Sequence, residues 1–105
     1  MEEIILDLIM HSGQARSCAM EAIYLAKKGE FDAAKELIRK SDEELGYAHN
    51  TQTSLIQGEV ACQKTEFSLM LVHAEDHLMT TMTFKDLAVE IIDLYKRIDP
   101  IESRN

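Results

Sequence analysis

At 105 residues the chain can build one hydrophobic core but not two, so a single domain over 1–105 is expected. A net charge of −8 sets an acidic surface against any phosphate backbone or anionic leaflet, which argues against nucleic-acid or membrane-surface binding and favours basic or apolar partners. With 46% hydrophobic residues, four glycines and one proline, the composition excludes disorder and leans towards helix.

The N-terminus, Met1-Glu2-Glu3-Ile4, is acidic where a secretion signal is basic. No apolar run approaches the roughly 18 residues that span a bilayer. Cys18 and Cys62 are too few and too isolated for a disulfide framework. Reduced thiols in a cytoplasmic protein are expected.

The first helix is predicted from Glu2 to Lys28. Its stripe of Ile5, Leu8, Ser12, Ala15, Ala19, Ala22 and Ala26 alternates steps of three and four, as on a bundle helix. The small side chains after Leu8 invite close approach of a neighbour. Lys27-Lys28-Gly29 closes the helix, with cations at the negative end of its dipole and a glycine free to turn left-handed.

The second helix is predicted from Phe31 to Ala61, with Ala34, Ile38, Leu45, Ala48 and Leu55 on its stripe. Gly46 and Gly58 each weaken it by up to about 1 kcal/mol relative to alanine, and bracket the place where a break is expected if there is one. The run His49-Asn50-Thr51-Gln52-Thr53 is polar but uncharged. With Gln57 it is a candidate source of hydrogen-bond donors for an anion.

After a connection at Cys62–Thr65, a third helix is predicted from Glu66 to Ile98, with Thr65 as its N-cap and Asp99-Pro100 as its stop. At about 1.5 Å per residue it is about 50 Å long. The result is an all-α, antiparallel three-helix up-down bundle. Such a bundle is thin, and apolar residues off the stripes (Ile4, Ile9, Met70, Met82 and Ile92) suggest further burial against copies of the same chain.

The expected inner stripe of the third helix reads Leu69, Val72, Asp76, Met79, Thr83, Leu87, Ile91 and Leu94. Asp76 breaks it. An unpaired buried carboxylate costs several kcal/mol, so this one is expected to be neutralised, hydrogen-bonded or bound to a cation. His73 stands three residues before Asp76 and four before His77, which puts all three within about one quadrant of the helix. The spacing supports three readings: a zinc site, a nucleophilic or general-base histidine, or a half-buried inert pair. A protease of the inverted His-x-x-Glu-His type is set aside, because Asp replaces Glu and the chain is too small for a substrate cleft.

The segment Lys64–Met82, with the core Val72-His73-Ala74-Glu75-Asp76-His77-Leu78-Met79, closely resembles the signature of enzyme IIA of the lactose/cellobiose class of the bacterial phosphoenolpyruvate-dependent sugar phosphotransferase system. Ser12-Gly13-Gln14-Ala15-Arg16-Ser17 and the Ala-Lys-Lys-Gly-Glu-Phe turn extend the resemblance over nearly the whole chain. Members often carry Gln where this sequence has Glu75.

The resemblance implies a phosphocarrier. His73 would take a phosphoryl group from phospho-HPr and pass it to a cysteine of enzyme IIB during disaccharide uptake, with the membrane component involved only indirectly. It implies a homotrimer of nine helices in which three copies of Asp76 share one divalent ion, typically Mg2+. His77 is a candidate support for the phosphoryl group. The competing reading, from the residues alone, is a non-catalytic helical oligomer that binds a structural metal through His73, Asp76 and His77.

Overall fold

The structure, a computed structural model, describes residues 1–63 and 67–102. It contains three helices: α1 (Glu2–Lys27), α2 (Phe31–Val60) and α3 (Leu69–Glu102), with no strand among the described residues. They form an elongated body of 62 × 21 × 20 Å. α1 is the central element and packs along both other helices, while α2 and α3 meet each other less.

The small-residue stripe of α1 is what allows this. Ser12, Ala15, Ala19 and Ala22 are fully buried, as is Leu8. Methyl-sized side chains let both neighbours approach closely. One core cluster joins Leu8, Ala15, Leu45, Ala48, Leu71, Ala74 and Leu78 near the start of α3. A second joins Ala22, Ala26, Ala34 and Ile92 at the other end. Ser41 ties α2 to α1 by donating its hydroxyl to the Ala15 carbonyl at 2.8 Å.

Both helix exits use the same hydrogen-bond pattern. At the end of α1, Glu30 N–H reaches the Leu25 carbonyl (2.9 Å) and Gly29 N–H reaches Ala26 (3.0 Å), with Gly29 at φ 83°. At the end of α2, Gln63 N–H reaches Gly58 (2.9 Å) and Cys62 N–H reaches Glu59 (3.0 Å). Here Cys62, not a glycine, takes the left-handed position at φ 65°. α2 runs unbroken through Gly46 and Gly58.

α3 departs from expectation in three ways. Thr65 and Glu66, the expected cap and first turn, lie outside the described residues. The cap that is seen is Ser68, whose hydroxyl accepts the Leu71 N–H at 3.1 Å while its carbonyl accepts Val72 N–H. At the other end the helix passes through Asp99-Pro100 to Glu102. A proline this near a terminus removes one backbone bond and leaves few others to disrupt.

The third departure is the larger one: the two faces of α3 are exchanged. Leu71, Ala74, Leu78, Thr81, Ala88 and Ile92 face the core, while Leu69, Val72, Met79, Leu87 and Leu94 are 49–84% exposed. Asp76 shares that outer face and is exposed in the single chain. The helix carries two apolar stripes of the same period. The one with alanines fits against the small-residue face of α1, and the one with larger side chains is left outward. Of the off-stripe residues, Ile92 is buried and Ile4, Ile9 and Met82 pack on the core, whereas Met70 is exposed.

Candidate functional site

His73 lies in the second turn of α3, just after the Ser68 cap, and is exposed. Its ring stacks on His77, with centroids 6.4 Å apart and planes 2° from parallel. His77 is half-buried and faces α1. A Cβ built on Gly13 would lie 3.9 Å from His77 Nε2, so the glycine forms the wall beside this nitrogen. The pair thus occupies the α1–α3 seam at its solvent edge.

Asp76 lies about 60° around the helix from His73, on the side away from His77. The backbone carbonyls of both Asp76 and His77 accept the Thr80 hydroxyl, at 2.9 and 3.2 Å. His73 and His77 therefore share one edge of the helix, and Asp76 belongs to the exposed apolar stripe beside them. No group of three His, Cys, Asp or Glu side chains placed to hold a metal ion occurs among the described residues. The structural-metal reading through His73, Asp76 and His77 in one chain is therefore not favoured.

The uncharged run on α2 faces elsewhere. Glu75 is about 200° from His73 around α3. It accepts a hydrogen bond from the Gln52 amide at 2.6 Å, and the same amide lies 3.4 Å from Met79 Sδ. Thr51 donates to Asp7 at 3.1 Å. The run that looked suited to an anion on His73 instead braces the opposite flank of α3, where its Gln52 engages the Glu75 carboxylate. His49 and Gln57 are exposed.

Between this flank and the end of α2 lies an open apolar hollow of about 280 Å³, bounded by Leu55, Ile56, Phe67 and Val72. It is continuous, through Val72, with the outer stripe of α3. Sequence reasoning singled out Gln52 as a donor but not its partner Glu75, and it missed Gly13 and Ser68 as determinants of this region. Gly13 left a signal, as the second residue of the Ser12–Ser17 motif.

Comparison with known proteins places this arrangement. Residues 3–96 match the family described as PTS system, lactose/cellobiose specific IIA subunit. The lichenan-specific phosphotransferase enzyme IIA component of Bacillus subtilis is 52% identical over 93% of this chain and 89% of its own length. The N,N'-diacetylchitobiose-specific EIIA component of Escherichia coli K12 is 46% identical over 93% of this chain and 84% of its own.

Among solved structures, the cellobiose-specific enzyme IIA from Bacillus anthracis superposes with a TM-score of 0.92 at 49% identity, covering 94% of this chain and 91% of its own. The Escherichia coli IIA(Chitobiose) subunit, solved in complex with HPr, superposes at 0.81 with 45% identity, covering 93% of this chain and 95% of its own. Sequence and three-helix fold agree, and the chain belongs to the lactose/cellobiose-specific IIA family of the sugar phosphotransferase system.

Proposed function

We propose that the chain is a cytoplasmic phosphocarrier that receives a phosphoryl group on His73 from phospho-HPr and delivers it to a cysteine thiolate of enzyme IIB during disaccharide uptake. The observation that carries this reading is the exposure of His73 at the edge of the α1–α3 seam in a chain of this family. In the first step a neutral imidazole nitrogen of His73 attacks phosphorus. A new P–N bond forms as the P–N bond to the donor histidine breaks, and the donor imidazole leaves with the electron pair. In the second step the thiolate attacks, a P–S bond forms, and His73 is released as the leaving group.

Transfer of this kind depends on positioning and on charge stabilisation. The His77 ring lies parallel to that of His73, and its Nε2, beside Gly13, supplies a hydrogen-bonding group one turn from the phosphoryl acceptor. Two carboxylates in the motif work against a bound dianion. Gln52 holds one of them, Glu75, on the far flank.

The outward stripe of α3 supports assembly of three copies around a threefold axis. Leu69, Val72, Met79, Leu87 and Leu94 expose large apolar surface in one chain, more than solubility favours. Asp76 stands within it, so rotation about an axis along this face brings three carboxylates together. A single chain offers one carboxylate on that stripe, which suits a hard divalent cation only when copies supply the rest. Three Asp76 carboxylates would hold the ion and lower the local charge from −3 to about −1; Mg2+ is the proposed ion.

Incubation with phosphoenolpyruvate, enzyme I and HPr, followed by purified enzyme IIB, tests the carrier role. Label is expected on this chain first and then on the IIB cysteine. Label that stays on HPr, or reaches IIB without this chain, contradicts it.

A further inference from the structure

Away from His73, a group of titratable side chains bridges α1 and α2. His11 Nδ1 lies 2.5 Å from Glu44 Oε2, and its Nε2 lies 3.2 Å from Asp7 Oδ1. The Thr51 hydroxyl donates to the other oxygen of Asp7 at 3.1 Å. The Tyr47 ring sits beside the imidazole, with centroids 5.2 Å apart. Side-chain exposures of 23% for His11 and 30% for Glu44 set this contact partly out of water, where charge is screened less.

The geometry fixes a proton count. A neutral imidazole carries one N–H and one lone pair. With a carboxylate oxygen at each ring nitrogen, a neutral ring leaves one lone pair facing an anionic oxygen. Both contacts are attractive only when both nitrogens bear hydrogen. The titratable groups that face the ring are Asp7 on its own helix and Glu44 and Tyr47 on α2.

We infer that Asp7, His11 and Glu44 form a proton-dependent clamp between α1 and α2. With both ring nitrogens protonated, the imidazolium bridges the two carboxylates and the cluster carries a net −1. Loss of one proton leaves −2 and turns one of the two contacts repulsive. The clamp therefore stabilises the bundle while both ring nitrogens of His11 bear hydrogen and lets go when one is lost. Its place in the fold gives it reach. Thr51 and Gln52, adjacent on α2, tie Asp7 on one side and Glu75 of the motif on the other. Gly13, two residues past His11, faces His77. The inference is independent of the carrier role.

Thermal unfolding of the full chain and of His11→Ala, Glu44→Gln and the double variant, across a pH series, tests the clamp. Under acidic-to-neutral conditions each single change is expected to lower the midpoint by about 4 °C, and the double variant by little more than either alone. The gap between the natural chain and Glu44→Gln should shrink as pH rises. Nitrogen NMR of the His11 ring supplies a second readout, with two N–H groups expected where the natural chain is most stable. Additive losses, a pH-independent gap or a single ring N–H each overturn the clamp.

Discussion

Cys62 holds the left-handed position that ends α2, at φ 65°. Non-glycine residues pay for this conformation by roughly 1 kcal/mol, and both hydrogen bonds of the motif are already in place. Cys62→Gly should therefore stabilise the fold by up to about 1 kcal/mol, read as a higher denaturant midpoint. The two thiols should also differ in reactivity. Burial pushes the Cys18 thiol up, and the nearby Glu21 carboxylate adds to the shift, whereas Cys62 is exposed at a turn. Limited iodoacetamide is expected to modify Cys62 before Cys18, as peptide mass mapping would show. Equal rates would contradict the placement of Cys18.

At the level of the elements, α3 is set by its cap and by the face it gives to α1. Ser68→Ala removes the side-chain acceptor for Leu71 N–H and should cost about 1 kcal/mol of stability. Ala19→Leu forces a larger side chain into a fully buried position on the α1 seam, and a loss of about 1–3 kcal/mol by chemical denaturation is expected. The stripes of α1 and α2 were legible in the sequence, because their small and aliphatic residues recur at bundle spacing, although α1 also exposes Leu6, Met10, Met20 and Tyr24. Leu8, Ser12, Ala15, Ala19, Ala22 and Ala26 on α1 are buried as the spacing indicates, and so are Ala34, Leu45 and Ala48 on α2, while Ile5, Ile38 and Leu55 are partly buried.

On α3 the spacing was legible but the face was not. Two stripes share one period there, and side-chain size favours the wrong one. What selects the alanine-bearing stripe is the small-residue surface of α1, a tertiary fact that periodicity along α3 does not contain. The same limit hid the pairing of Gln52 with Glu75, which depends on how α2 is rotated against α3. The proximity of His73 to His77 followed directly from i, i+4 spacing, and the structure places the two rings together.

At the scale of the whole molecule, the stripe from Leu69 to Leu94 and the hollow beside Val72 leave the single chain with an unfinished apolar side. The proposed assembly around Asp76 would account for both the apolar surface and the acid within it. Chelation of divalent ions should then shift the natural protein towards smaller species in sedimentation at low concentration. The same treatment should leave an Asp76→Asn variant unchanged, since its site no longer depends on the ion. A chelator effect of equal size in both would remove Asp76 from the metal site.

The proposed carrier role requires that one histidine take the phosphoryl group. Exposing natural chain, His73→Gln and His77→Gln to phosphoenolpyruvate, enzyme I and HPr tests it directly, with intact mass and acid lability as readouts. One acid-labile phosphoryl group per natural chain is expected, with none on His73→Gln and retained though slower labelling of His77→Gln. An unmodified natural chain, or a His73→Gln variant that still takes the label, would contradict it.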